Sequence, residues 1–209
     1  MEQANWGFSF KGLFYRLFID PLISGIRRRV AEMVEPGETV IDIACGTGAL
    51  SLAIATKARH VTGIDFSEDM ILTARRMVQG RKTGTVFFEL RDATNLSCYP
   101  ANSFDLAVTS MTMHQFNPET GVKVLSEMNR IARRVIVADY NCPMMRGPGA
   151  ALAWGIECAA SSDHYRNFRE YMRKGGMDKL TEEAKMIISG REVSGSGVFT
   201  IVQGSSKSP

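Results

Sequence analysis

The run Val40-Ile41-Asp42-Ile43-Ala44-Cys45-Gly46-Thr47-Gly48-Ala49-Leu50 constrains the fold of this chain more than any other segment. Its short β-branched stretch reads as a buried strand, and the small-residue turn after it leads directly into a helix over about residues 49–57. A strand, a glycine turn and a helix in this order belong to a parallel α/β sheet, and the small residues let a ligand approach backbone N–H groups closely. A dinucleotide turn would have to use Ala44, Gly46 and Ala49 as its three small positions. Glycine is missing at two of them, so a pyrophosphate fits poorly. Cys45 reads as small filler of the turn rather than as a nucleophile.

Strand and helix continue to alternate beyond the turn. Residues 60–66 form a second strand, after which Ser67 caps a helix with Glu68 and Asp69 in its first turn, running to about Gln79. Residues 85–90 and 104–110 form the third and fourth strands. Asn117-Pro118-Glu119 opens another helix, and residues 135–138 are a fifth strand. Upstream, Asp20-Pro21 starts a helix with the apolar stripe Leu22, Ile26, Val30 and Met33. Downstream of Gly147-Pro148-Gly149 the pattern predicts one helix from about 150 to 174, stopped by Gly175-Gly176. A short turn over 178–184 follows, then a β-hairpin of 185–193 and 198–203. The implied organisation is an N-terminal helical cap or lid over residues 1–35 and an α/β domain over 36–204. The domain carries a helical insert at about 148–184, and 205–209 is a flexible tail.

Three carboxylates define the ligand. Asp42 stands two residues before the turn, where it attracts an ammonium rather than a phosphate. Asp65 ends the next strand, seventeen residues after Gly48, placed to accept hydrogen bonds from ribose hydroxyls. Asp92-Ala93 follows the third strand and offers a carboxylate and an amide to an adenine edge. A ligand with an amine, a ribose and an adenine but no phosphate is S-adenosylmethionine.

These segments resemble the class I S-adenosylmethionine-dependent methyltransferases, and within them the ubiquinone/menaquinone C-methyltransferase-like branch. The likeness rests on D-I-A-C-G-T-G-A-L-S, G-I-D-F-S-E-D-M, R-D-A and F-D-L-A-V-T-S, in order and spacing over about residues 20–204. It implies a Rossmann-like, seven-stranded, mostly parallel sheet with helices on both faces, the C-terminal hairpin supplying strands six and seven, the seventh antiparallel. It further implies that the turn Ala44, Cys45, Gly46, Thr47, Gly48 wraps the methionine part of the cofactor, with Asp42 near its amine and Ser51 touching it. Asp65 would hold the ribose, Phe66 and Met70 would sandwich the adenine, and Asp92 and Ala93 would bind its edge. Ser110 would line the pocket after the fourth strand. Ala44 departs from the commoner glycine.

Composition narrows the class further. A chain of 209 residues with 44% hydrophobic and 22% charged residues suits one ordinary globular domain. Four widely spaced cysteines and three histidines offer no zinc or disulfide framework, so no metal is expected. A net charge of +3 gives no polyanion-binding surface, so no nucleic-acid partner is expected. The N-terminal stretch lacks a secretory pattern, and no segment reaches the ~20 apolar residues of a membrane span. A cytoplasmic protein is expected, as a monomer or a homodimer.

For the chemistry, His114 just past the fourth strand is the candidate general base, ahead of Tyr140 and Asn141 after the fifth. Ser110-Met111-Thr112-Met113 stands where N/D-P-P-Y would mark methylation of DNA bases or glutamine amides. Six of the eighteen aromatics fall within the first eighteen residues, and Phe10, Phe14 and Phe18 share one helical stripe. A second set, Tyr165, Phe168 and Met172, lies on the helical insert. The candidate substrate pocket is thus Phe10, Phe14, Phe18, Tyr140, Tyr165 and Phe168. It suits a small, apolar or quinol-like acceptor, with peripheral membrane contact if that acceptor is drawn from a membrane surface. A phospholipid headgroup or another small N/O-acceptor, and a cofactor-binding module without turnover, are the alternatives.

Overall fold

The computed structural model describes residues 23–79, 85–194 and 196–206, and its first strand, β1 (Thr39–Ile43), lies at the middle of a seven-stranded sheet. Val40, Ile41, Asp42 and Ile43 are all buried although they alternate in direction, so both faces of the sheet are covered at this strand. The strand order is β3 (Val86–Leu90), β2 (His60–Asp65), β1, β4 (Phe104–Ser110), β5 (Ala132–Tyr140), β7 (Phe199–Ser205), β6 (Ile187–Ser194). The first five are parallel, and β7 runs antiparallel to both neighbours, as the sequence led us to expect.

Helix α1 (Ser24–Glu32) packs beside α2 (Ala49–Ile54), and α2 carries the chain from β1 to β2. Helix α3 (Glu68–Val78) connects β2 to β3, and α4 (Pro118–Ile131) connects β4 to β5. The β1–β2 and β4–β5 crossovers travel in opposite directions along the sheet. Right-handed connections therefore put α2 and α4 on opposite faces, and a crevice opens between the carboxyl ends of β1 and β4. The register Asp42↔Val108 fixes that crevice, bringing the turn after β1 alongside Ser110.

Local signals account for the helix starts. Asn117 accepts the Thr120 N–H at 2.9 Å with Pro118 in the first turn, a cap that stabilises α4 by about 1 kcal/mol. Val124, Leu125, Met128 and Ile131 of α4 are buried, each contributing ~1.5–3 kcal/mol. Arg134 forks onto Glu38 at 2.8 and 3.0 Å at the other edge of the sheet, within the stretch by which β5 begins earlier than its apolar run predicts.

Two expectations for the insert need correction. The single helix breaks into α5 (Pro148–Cys158) and α6 (Ser162–Lys174), because Ser161 accepts the His164 N–H and caps a new start with Asp163 in its first turn. The expected turn that follows is a helix, α7 (Met177–Glu183), whose Met177, Leu180 and Thr181 are buried. The N-terminal stripe Phe10, Phe14 and Phe18 and the end of the tail lie outside the described residues. No helix of the described residues is long and apolar enough to cross a membrane.

Candidate cofactor site

The turn after β1 is built from backbone that ordinary side chains resist. Ala44, Gly46 and Gly48 all have positive φ, at 54°, 54° and 78°. The two glycines serve different needs. A Cβ on Gly48 would stand 2.6 Å from the Phe88 ring, so this glycine lets α2 close on the sheet. A Cβ on Gly46 would meet nothing within 4 Å, so this face of the turn is open. An open, left-handed glycine that borders a cavity is the cradle a methionine-like ligand needs.

Two cavities of about 440 and 240 Å³ meet above the turn, sharing Ala44, Asp65, Phe66 and Phe116 in their walls, and form one trough along the carboxyl edge of the sheet. The larger chamber is bordered by Arg91, Asp92, Ala93, Thr120 and Lys123, the smaller by Asp42, Gly46, Thr47, Met70 and Ser110. Phe66 is 76% exposed at their junction, an apolar ring left uncovered where a flat ligand would cover it.

The carboxylates differ in state because their surroundings differ. Asp42 is almost wholly buried; burial pushes its carboxyl up to about 7, against the pull of a 2.6 Å hydrogen bond from the Ser51 hydroxyl and the charge of Arg27. Asp65 is also raised by burial, opposed by the backbone N–H groups of Ser67 and Gly46, each donating at 2.9 Å. The Gly46 bond ties the end of β2 to the turn after β1, and the Ser67 bond closes the turn into α3. Asp92 sits at the surface and is lowered by the backbone N–H and hydroxyl of Thr94, both at 2.8 Å on one oxygen. Burial raises the Cys45 thiol well above its ordinary value, which agrees with turn filler.

Most of the cofactor residues expected from sequence border the trough, but Ser51 and Gly48 do not. Ser51 is fully buried behind Asp42, so it positions that carboxylate instead of facing the cavity. Gly48 faces the Phe88 ring. Phe66 borders both chambers and Met70 the smaller one alone, so the two flank different parts of the trough. Phe116, Arg27, Thr120 and Lys123 were not anticipated. Phe116 had a signal in its place directly before the Asn117-Pro118 helix start. The others come from the outer faces of α1 and α4 and had none.

The described residues expected on the acceptor side lie away from the trough. His114, in the 3₁₀ turn Met113–Gln115, is only 2% exposed; its Nδ1 is 2.6 Å from Asp139 Oδ1 and its Nε2 3.4 Å from Glu157 Oε1. Burial alone would lower its pKa, but the Asp139 and Glu157 carboxylates carry it up to about 9. An imidazolium held between two acids, away from the cavity, is badly placed to take a proton from an acceptor. Tyr140 donates its hydroxyl to Glu157 at 2.8 Å, Phe168 is fully buried among these rings, and Asn141 binds the Pro143 and Gly197 carbonyls. Tyr165 borders an outer groove between α6 and the loop after β5. His114, Tyr140 and Phe168 pack the insert onto the sheet, because α6 turns Phe168 inward over the 3₁₀ turn.

The chain has relatives among known proteins. A family profile described as a methyltransferase domain matches residues 40–134. The chain is 34% identical over 134 residues to a demethylmenaquinone methyltransferase of Desulfitobacterium hafniense, covering 60% of this chain and 52% of that protein. It thus spans about half the length of that relative. It is 30% identical over 183 residues to a phosphatidylethanolamine N-methyltransferase of Cereibacter sphaeroides, covering 85% and 84%. In fold it is similar to the PH0226 protein of Pyrococcus horikoshii, with a TM-score of 0.70 at 20% identity over 96% of this chain and all of that one. It is also similar to magnesium protoporphyrin IX methyltransferase of Synechocystis with bound SAH, with a TM-score of 0.61 at 20% identity over 98% and 89%. With an open glycine turn, a buried acid before it and a second acid ending β2, the chain belongs to the class I S-adenosylmethionine-dependent methyltransferases.

Proposed function

We propose that this methyltransferase acts on a small, largely apolar acceptor carrying a quinol-like ring, presented to the smaller chamber of the trough. The observation that carries this is the chamber's wall beyond Asp42. Met70, Met111 and Phe116 border it, and two of the nearby polar side chains are already engaged, while the buried Ser110 hydroxyl has no hydrogen-bond partner among the described residues. Gln115 donates to the Met111 carbonyl at 2.8 Å, and Thr112 to the Ser110 carbonyl at 3.2 Å. An apolar wall with few unengaged polar atoms favours a flat hydrocarbon ring over a charged headgroup.

S-adenosylmethionine, when bound, supplies a methyl group on a positively charged sulfur to a nucleophile aligned with it. The chain would hold that cofactor with Asp42 and the Gly46-Thr47 backbone at its amino-acid end, Asp65 at its ribose, and Asp92 with Ala93 at its adenine. Phe116 covers the junction of the chambers and excludes water there. Orientation of this kind contributes up to ~7–11 kcal/mol. Among the described residues no histidine borders the trough, so an acceptor whose hydroxyl ionises readily matches the site.

The relative that aligns over most of its length favours a second reading, a phospholipid headgroup amine. Transfer of labelled methyl to reduced demethylmenaquinone in detergent, set beside phosphatidylethanolamine vesicles, distinguishes the two. Label in the quinol supports the proposal. Label in the lipid alone, or in neither while the cofactor binds, refutes it.

A further inference from the structure

Two of the chain's three histidines, far apart in sequence, converge on one buried carboxylate. His114 comes from the 3₁₀ turn after β4, Glu157 from α5 and His164 from α6. Their ligating atoms lie within 4.8 Å of one another. His164 Nε2 is hydrogen-bonded to Glu157 Oε2, and His114 Nε2 lies 3.4 Å from Glu157 Oε1. That second distance is long for a charge-assisted hydrogen bond. It matches the roughly 3.3 Å edge between two donors held at ~2.0–2.1 Å on a tetrahedral ion.

We propose that His114, Glu157 and His164 form a structural site for a divalent transition metal of the zinc type, which clips the helical insert onto the edge of the sheet. The surrounding hydrogen bonds are those a metal site requires. Asp139 Oδ2 accepts the backbone N–H groups of Thr112, Met113 and His114, and its Oδ1 accepts that of Tyr140, so the carboxylate is rigidly set. Its Oδ1 takes the Nδ1–H of His114 at 2.6 Å, which directs Nε2 at Glu157. The Tyr140 hydroxyl donates to Glu157 Oε1 at 2.8 Å and orients that carboxylate as well. A ligating imidazole backed by a carboxylate, and a ligating carboxylate backed by a donor, are the outer shell that fixes metal ligands. His114 and Glu157 are fixed and buried, while His164 is a quarter exposed and provides both the access route and the side chain that moves to close the site. The ion takes the place of the protons the two rings share with Glu157, and water completes a fourth position.

The test uses the full chain, stripped with a chelator and titrated with cobalt(II) and zinc(II). One equivalent of cobalt should produce the visible ligand-field absorption of a tetrahedral site, zinc should displace it, and zinc should raise the melting temperature. His164→Ala and Glu157→Gln should abolish all three effects. His60→Ala, which removes the third histidine, and Cys158→Ser, which removes the thiol next to Glu157, should leave them intact. If His114→Ala fails to fold, the half-buried His164 still gives the decisive variant. Absence of stoichiometric binding, binding that survives in folded His164→Ala or Glu157→Gln, or binding lost with Cys158 overturns the proposal.

Discussion

Lowering the pH from about 8 to about 6 should weaken the binding of S-adenosylmethionine roughly tenfold, and Asp42→Asn should remove that dependence. The cause lies in the ligand-free site. Asp42 is 1% exposed, burial pushes its carboxyl up to about 7, and nearby Asp65 adds to the effect while Ser51 and Arg27 oppose it. An ammonium seeks the ionised form. At pH about 6 roughly one carboxyl in ten is ionised, and apparent affinity falls by that fraction. The same shift acts on stability. Unfolded, the group titrates near its ordinary 3.8; folded, near about 7. Between those values the native state holds the additional proton, so stability falls as pH rises through that window. At about 1.4 kcal/mol per pH unit the loss reaches at most ~4 kcal/mol. Calorimetric titration of the cofactor and thermal melts of the ligand-free chain, both across this pH range and for both proteins, measure the two slopes. Parallel profiles in the wild type and the asparagine variant would refute the reasoning.

Asp65→Ala should weaken cofactor binding by ~1.5–3 kcal/mol, roughly ten- to a hundredfold, and a folded variant with unchanged affinity would contradict its place at the ribose. Gly48→Ala should cost ~2–5 kcal/mol of stability, because the new methyl meets the Phe88 ring at 2.6 Å and the φ of 78° is as left-handed as that of Gly46. Gly46→Ala should cost only ~1–2 kcal/mol for its left-handed backbone but disproportionately weaken cofactor binding; equal losses of affinity in the two variants would show that Gly46 is not the open face of the cradle. His114→Ala should destabilise the fold by ~3–5 kcal/mol, since it leaves Asp139 and Glu157 buried without their shared partner. An unchanged melting temperature together with lost turnover would return His114 to the reacting centre.

The strand ends that border the trough were legible in the chain itself. Asp42, the Ala44 to Gly48 turn, Asp65 and Asp92-Ala93 each stand at a strand end, and a strand end is announced locally by β-branched residues giving way to a turn and a helix cap. Parallel order and right-handed crossovers then bring all those ends to one edge, so spacing along the chain translates into position in the site. The break at Ser161 was misjudged because the apolar pattern ran on across a cap that the hydrogen bond to His164 decided. His114 was misplaced for a deeper reason. Its position after β4 was correct, but the 3₁₀ turn pins three backbone N–H groups on Asp139 and swings the ring away from the trough. Where a side chain points from such a turn depends on β5, α5 and α6, none of them adjacent in sequence. The network of His114, Asp139, Glu157 and His164 therefore has no spacing signature. Only the packing of the insert onto the sheet edge assembles it, because hydrogen bonds and burial there are satisfied between distant segments rather than within one.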